Sequence, residues 1–149
     1  MPHFFDIEQL NLFWRLVLAM VLGGLLGYER EHLGKAAGIR TNALVCLGSA
    51  LFTVVSVKLI PLFANIGSFD PTRIAAQIVI GIGFIGAGVI IFSGEQVKNL
   101  TTAATIWVVA AIGVAIGFGF YLLAVLTSLL VFILLEVLVR LKVGEQKHL

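Results

Sequence analysis

The chain has 149 residues, 60% of them hydrophobic and only 12% charged, where soluble domains carry about 45–50% and about 25%. A mean hydropathy of +1.09 leaves too little polar surface to cover a water-facing globule. The net charge of +2, with no basic stripe standing free of the apolar runs, excludes a nucleic-acid binder.

One domain over residues 1–149 suits this length. The first nine residues carry no basic stretch and no small-residue cleavage site follows the first apolar run, so a cleaved signal peptide is not expected. Five apolar runs then cover 10–28, 42–60, 74–92, 103–119 and 120–139. Each approaches the roughly 20 helical residues that cross a bilayer's hydrocarbon core. They lack the strict alternation of a barrel, and in lipid only helices or closed barrels satisfy the backbone. The expected fold class is therefore all-α, an integral membrane bundle of about five transmembrane helices whose first partner is the lipid bilayer.

Helix starts are marked by polar side chains. Asp70-Pro71 places a capping carboxylate before a first-turn proline in the third run, and Thr41-Asn42 and Asn99-Leu100-Thr101-Thr102 offer the same for the second and fourth. Pro61 and Asn65-Ile66-Gly67-Ser68 are expected to break the chain after the second. Arg30, Lys35, Arg40, Lys98, Arg140, Lys142 and Lys147 fall on one side of the membrane, and only Lys58 and Arg73 on the other. The positive-inside rule makes the first side cytoplasmic, with the N-terminus outside and the C-terminus inside.

Small residues set the expected packing. Gly23 and Gly27 have GxxxG spacing in the first run, Gly81, Gly83, Gly86 and Gly88 crowd the third, and Gly113 and Gly117 lie in the fourth. Lipid provides no hydrophobic drive between helices, so close approach through small faces supplies the attraction. Runs one, three and four are expected to form the inner core, with the Leu-rich fifth facing lipid. Gly81-Ile82-Gly83-Phe84-Ile85-Gly86 matches a nucleotide-binding fingerprint, but both flanks are membrane span, which excludes that use.

Ionisable groups inside a bilayer are costly and are candidates for function. Arg15 either snorkels to the outer interface or finds an outer acid, Glu8 or Asp70. Asp70, Arg73 and Gln77 share a helical face and with Arg15 would make an outer polar cluster. An inner cluster is expected from Glu29, Arg30, Arg40, Asn42, Asn99, Thr101 and Thr102, with Glu136 nearby or paired to Arg140 four residues on. Glu31, Glu95 and Lys98 read as solvated loop charges. Cys46 is alone, so no internal disulfide forms. His3, His32 and His148 lack metal-ligand spacing. No nucleophile, base and acid come together, so neither enzymatic activity nor a cofactor is expected.

Three ordered motifs carry a resemblance. Gly27-Tyr28-Glu29-Arg30 with Ala37-Gly38-Ile39-Arg40-Thr41-Asn42-Ala43-Leu44 is the first; Asp70-Pro71-Thr72-Arg73-Ile74-Ala75-Ala76-Gln77-Ile78-Val79, running on into Gly81–Gly88, is the second. Leu100-Thr101-Thr102-Ala103-Ala104-Thr105-Ile106-Trp107 with Ala111-Ile112-Gly113 is the third. Together they resemble the MgtC/SapB family of bacterial membrane proteins. The resemblance implies an inner-membrane protein of about five spans, tied to growth at low magnesium and to virulence. For MgtC-type members it implies regulation by binding the F-type ATP synthase, and it points to Glu29, Arg40, Thr41, Asn42, Asp70, Arg73, Gln77 and Thr101 as functional positions. The chain stops at Leu149 without the soluble C-terminal domain of MgtC-type members, so it looks like a minimal SapB-like member.

Two functions are expected to compete. One is a non-enzymatic regulator acting by helix contact, through self-association or another membrane protein. The alternative is a transporter or channel for magnesium or another cation, using one or two carboxylates such as Glu29, Asp70 or Glu136 in an oligomer.

Overall fold

The computed structural model describes the backbone of residues 7–63, 70, 72–93 and 96–145, and the side chains among them except 62–63, 93 and 137–145. Pro71, the stretch 65–68, Glu95, Lys147, His3, His148 and the side chains of Arg140 and Lys142 lie outside the described residues. Five helices follow in order: α1 (Ile7–His32), α2 (Ile39–Phe63), α3 (Thr72–Val89), α4 (Leu100–Phe118) and α5 (Tyr121–Glu145). α1 to α4 are long and apolar enough to cross a membrane by length and composition. Large apolar side chains such as Trp14, Phe52, Phe84, Trp107 and Leu130 are exposed around the bundle. In water that surface would aggregate; against lipid it is solvated.

The core is built by α1, α2 and α4. Ala19, Leu22 and Leu26 of α1 meet Cys46 and Ala50 of α2 and Val109, Ile112 and Ile116 of α4, with Ala124 of α5 at the edge. Glycines let these backbones touch. A Cβ on Gly23 would fall 2.5 Å from the Asn42 carbonyl oxygen, and one on Gly27 2.6 Å from that of Gly38. A Cβ on Gly113 would strike the Cys46 carbonyl, and one on Gly117 would strike Thr53. α1 and α4 thus press on one stretch of α2 and meet at Cys46. The buried Thr53 of α2 turns its hydroxyl back to the Ser49 carbonyl at 2.8 Å, which costs the seam no unpaired group.

The expectation that the third run joins the inner core is overturned. Gly81, Gly83 and Gly88 would find nothing within 4 Å of an added Cβ; Gly86 packs, with its Cβ 3.7 Å from that of Ala103. The physical difference lies in what the small residues face. Gly23/Gly27 and Gly113/Gly117 repeat every four residues and form continuous stripes against α2, whereas the α3 glycines spread over three faces. One α3 face meets α4 through Ile82 and Gly86. A second opens toward α2. The third, Ala76, Ile80, Gly83, Phe84 and Ala87, is bare, with Ile80 67% and Phe84 84% exposed.

The punctuation also differs from expectation. α2 begins at Ile39, before Thr41-Asn42, because Glu31 reaches back to accept the Ile39 N–H at 2.8 Å; this loop charge is a helix cap. Pro61 sits inside α2 and does not end it. Asn99 adopts φ 68°, offers no side-chain cap to α4, and donates instead to the Val89 carbonyl at 3.0 Å, tying the end of α3 to the start of α4. Between them Ile91–Ser93 (β1) and Gln96–Lys98 (β2) form a small antiparallel ladder that the apolar pattern did not announce. The α4–α5 connection is tight: Gly119 at φ 90° donates to the Ile116 carbonyl at 2.9 Å, and Phe120 to that of Ala115 at 2.8 Å.

Candidate functional site

The polar groups collect at two ends of the bundle. At one end, Arg15 of α1 donates to the Gly117 carbonyl at 3.3 Å and lies 5.5 Å from the centre of the Tyr121 ring. It therefore takes the last-turn carbonyls of α4, where the helix dipole is negative, and an aromatic face. The expected pairing with Asp70 or Glu8 is replaced by these contacts, and Glu8 instead pairs with Lys58. α4 closes here and α3 begins here, so Arg15 lies near the bundle's boundary. Arg15 does not join Asp70, Arg73 and Gln77, which sit on exposed α3 or at its start.

Asp70 caps α3. Its Oδ1 accepts the Thr72 hydroxyl at 2.7 Å and the Thr72 N–H at 2.8 Å. These bonds, the hydroxyl first, hold the carboxyl below the usual carboxylate range, with Arg73 adding attraction. The folded value is lowered, so the cap is in place above the ordinary value of about 3.9 and fades as pH falls through the folded one. Replacing Thr72 by valine is expected to move the Asp70 titration upward, read by carboxyl carbon-13 NMR.

The opposite end holds the denser cluster. Arg30 is 2% and Glu29 6% exposed, in the last turn of α1. Arg30 donates to the Thr102 hydroxyl of α4 at 3.2 Å. Its guanidinium is 3.9 Å from Glu29, an ion pair too long for a hydrogen bond. Both Glu29 oxygens are inaccessible and accept no hydrogen bond. Glu136 of α5 acts on Glu29 electrostatically, as do Arg30 and Lys35. This fits the parallel course of α1 and α5: Arg15 meets Tyr121 at one end, and Glu29 and Glu136, fourteen and fifteen residues later, come within electrostatic reach.

Asn42, fully buried, donates to the Ala37 carbonyl at 3.0 Å and the Gly38 carbonyl at 2.9 Å, while its Oδ1 has no partner. It clamps the α1–α2 connection where Gly27 meets Gly38. Asn42→Leu is expected to cost about 2 kcal/mol by stranding the Ala37 carbonyl and removing a second donor from Gly38, which keeps the residue 42 N–H, measured as thermal stability in detergent. Of the expected inner group, Glu29, Arg30, Asn42 and Thr102 are drawn into the buried end; Arg40 and Thr101 are exposed, and Asn99 is half-buried and turned to Val89. Thr41, a position from the family resemblance, is half-buried. The residue undervalued by sequence reasoning is Arg30, whose signal was its place four residues beyond Leu26 on the core-facing side of α1. Among the described residues no group of three or more His, Cys, Asp or Glu is placed to hold a metal ion.

The MgtC family model matches residues 16–143. The chain belongs to the MgtC family. YhiD of Escherichia coli strain K12, whose name describes a candidate magnesium transporter, is 48% identical over 128 residues, 83% of this chain and 58% of YhiD. Protein MgtC of Brucella abortus strain 2308 is 52% identical over 101 residues, 68% of this chain and 40% of that protein. An uncharacterized Synechocystis protein, slr0014, is 50% identical over 119 residues, 80% and 48% of the two chains. The chain thus spans about half the length of these relatives. No solved structure matches it. Family membership and the apolar helices together make this a membrane protein. In this MgtC-family fold the first and third motifs supply the buried end through Glu29, Arg30, Asn42 and Thr102, and the second supplies α3.

Proposed function

We propose that this MgtC-family chain is a non-enzymatic regulatory protein of the bacterial inner membrane, acting in adaptation to low magnesium by docking a helix of a membrane partner on α3. The observation that carries the reading is the bare α3 face, Ala76, Ile80, Gly83 and Ala87. Small residues four apart, as Gly83 and Ala87 are here with Ala76 two turns earlier, allow a second helix to approach closely, and α1 and α4 use that spacing within the chain. The Arg30 end is cytoplasmic in this reading, by the excess of Lys and Arg on that side. The partner is a second copy or another membrane protein, with the F-type ATP synthase the first candidate from the family resemblance. Gly83→Leu tests it: the fold is expected to survive, and co-purification of the partner from mildly solubilised native membranes to fall about tenfold. Unchanged recovery would defeat the proposal.

A second reading rests on Glu29. A buried carboxylate with no hydrogen bond, and Glu136 within its electrostatic reach, suits a passing or resident cation, and the name of YhiD points to magnesium. Magnesium flux into proteoliposomes that is abolished by Glu29→Gln favours this reading; flux indifferent to it removes Glu29 from any such path.

A further inference from the structure

The cleft between α2 and α3 has no part in the reading above. It holds about 710 Å³ between Leu44, Gly48 and Phe52 of α2 and Ile74, Gln77 and Gly81 of α3. Its lining is apolar except for Ser49 and Gln77. A Cβ added at Gly48 or Gly81 would meet nothing within 4 Å, so the two helices stand apart at their glycines. Along α3 the cleft runs from Ile74 to Ile85, about 16 Å at helical rise. Half of the hydrocarbon core is about 15 Å, so the cleft is as long as one leaflet is deep.

A positive charge stands just beyond its lining at the Ile74 end. Arg73 lies one turn before Gln77, exposed, at the end of the bundle where α3 begins and α4 closes. Asp70 accepts the Thr72 hydroxyl and N–H and is attracted by Arg73, but among the described residues the guanidinium makes no direct ion pair. An apolar channel of one-leaflet length with an exposed guanidinium beside its end matches an amphiphile with a phosphate head.

We propose that the α2–α3 cleft is a phospholipid site, with an acyl chain lying over Gly48 and Gly81 and the phosphate held by Arg73. A guanidinium presents paired N–H donors that fit phosphate oxygens. The apolar walls accept the chain, whose contacts replace the helix packing that α2 and α3 lack here. The cleft itself faces away from Gly83 of the partner face, while Arg73 stands one turn before Ala76 at the end of that face.

Native mass spectrometry of the full chain, incubated in detergent with phosphatidylglycerol, tests the assignment. One retained lipid per chain is expected. Gly48→Leu with Gly81→Leu fills the cleft without a clash and is expected to lower retention about tenfold. Arg73→Gln is expected to lower it about threefold, and Gly83→Leu to leave it unchanged even if partner docking is lost. Excess inorganic phosphate displaces a bare phosphate site but not this lipid. Retention equal to wild type in either the double glycine variant or Arg73→Gln overturns the proposal. So does displacement by phosphate alone, or a dimer mass that the glycine variant abolishes, which gives the cleft to a second copy.

Discussion

Gly113→Ala is expected to destabilise the bundle by about 3 kcal/mol, whereas Gly83→Ala is expected to be neutral or to stabilise it by about 0.5 kcal/mol. The two substitutions add the same methyl group to a glycine in the middle of an apolar helix. At Gly113 the new carbon runs into the carbonyl oxygen of Cys46 and crowds Ser49, both on α2. A main-chain oxygen cannot rotate aside, so α2 itself must shift, and its Asn42 and Cys46 are already in close contact with Gly23 of α1. At Gly83 the carbon enters open space, and the gain is only the lower flexibility of alanine in the unfolded chain. Thermal unfolding in a mild detergent, followed by tryptophan fluorescence, separates them. Equal shifts for both variants would mean that α1, α2 and α4 are not the packed unit.

The second large effect is expected at Arg30→Ala, about 3 kcal/mol of destabilisation. Arg30 is buried, holds α1 to α4 through Thr102, and is the nearest cation to Glu29. Its removal leaves the Glu29 carboxylate with Glu136 on one side and no guanidinium on the other. Glu29→Gln in the Arg30→Ala background is then expected to recover part of the loss, because a neutral amide needs no countercharge. In wild type, Glu29→Gln is expected to cost less than Arg30→Ala. Unfolding midpoints of the four proteins form a double-mutant cycle, and a coupling near zero would show that the two side chains do not act on each other.

These contrasts mark what the amino-acid order reveals. Helix number follows from apolar length, which the bilayer thickness turns into structure, so five runs became five helices, while the limits moved with local contacts such as the Glu31 cap on α2. The GxxxG pair at Gly23 and Gly27 was legible as a packing stripe because both glycines share one face. Gly81, Gly83 and Gly88 were misjudged because density was read without direction: helical rotation puts Gly81 and Gly88 on one face and Gly83 on the opposite one, and neither is packed closely at these glycines. For Arg15, snorkelling and an acidic partner were the two alternatives that charge suggests, while the carbonyl end of α4 and the Tyr121 ring are the contacts it makes, without a full countercharge. The Asp70 turn was readable since its geometry is local. Glu31 as a cap for α2 was not, because the bond spans eight residues across a loop whose path no pattern specifies. Glu29 and Asn42 were drawn from the motifs, but that they end in a buried cluster with unpaired oxygens depends on the crossing of α1, α2, α4 and α5.

The most direct test of the account is site-specific photo-crosslinking in native membranes, with a photoreactive side chain placed at Gly83 in one variant and at the exposed, α4-borne Trp107 in another. A discrete adduct to a protein chain from position 83, absent from position 107, is the expected outcome. Adducts to lipid alone from position 83, or the same protein adduct from both positions, would contradict a partner face on α3.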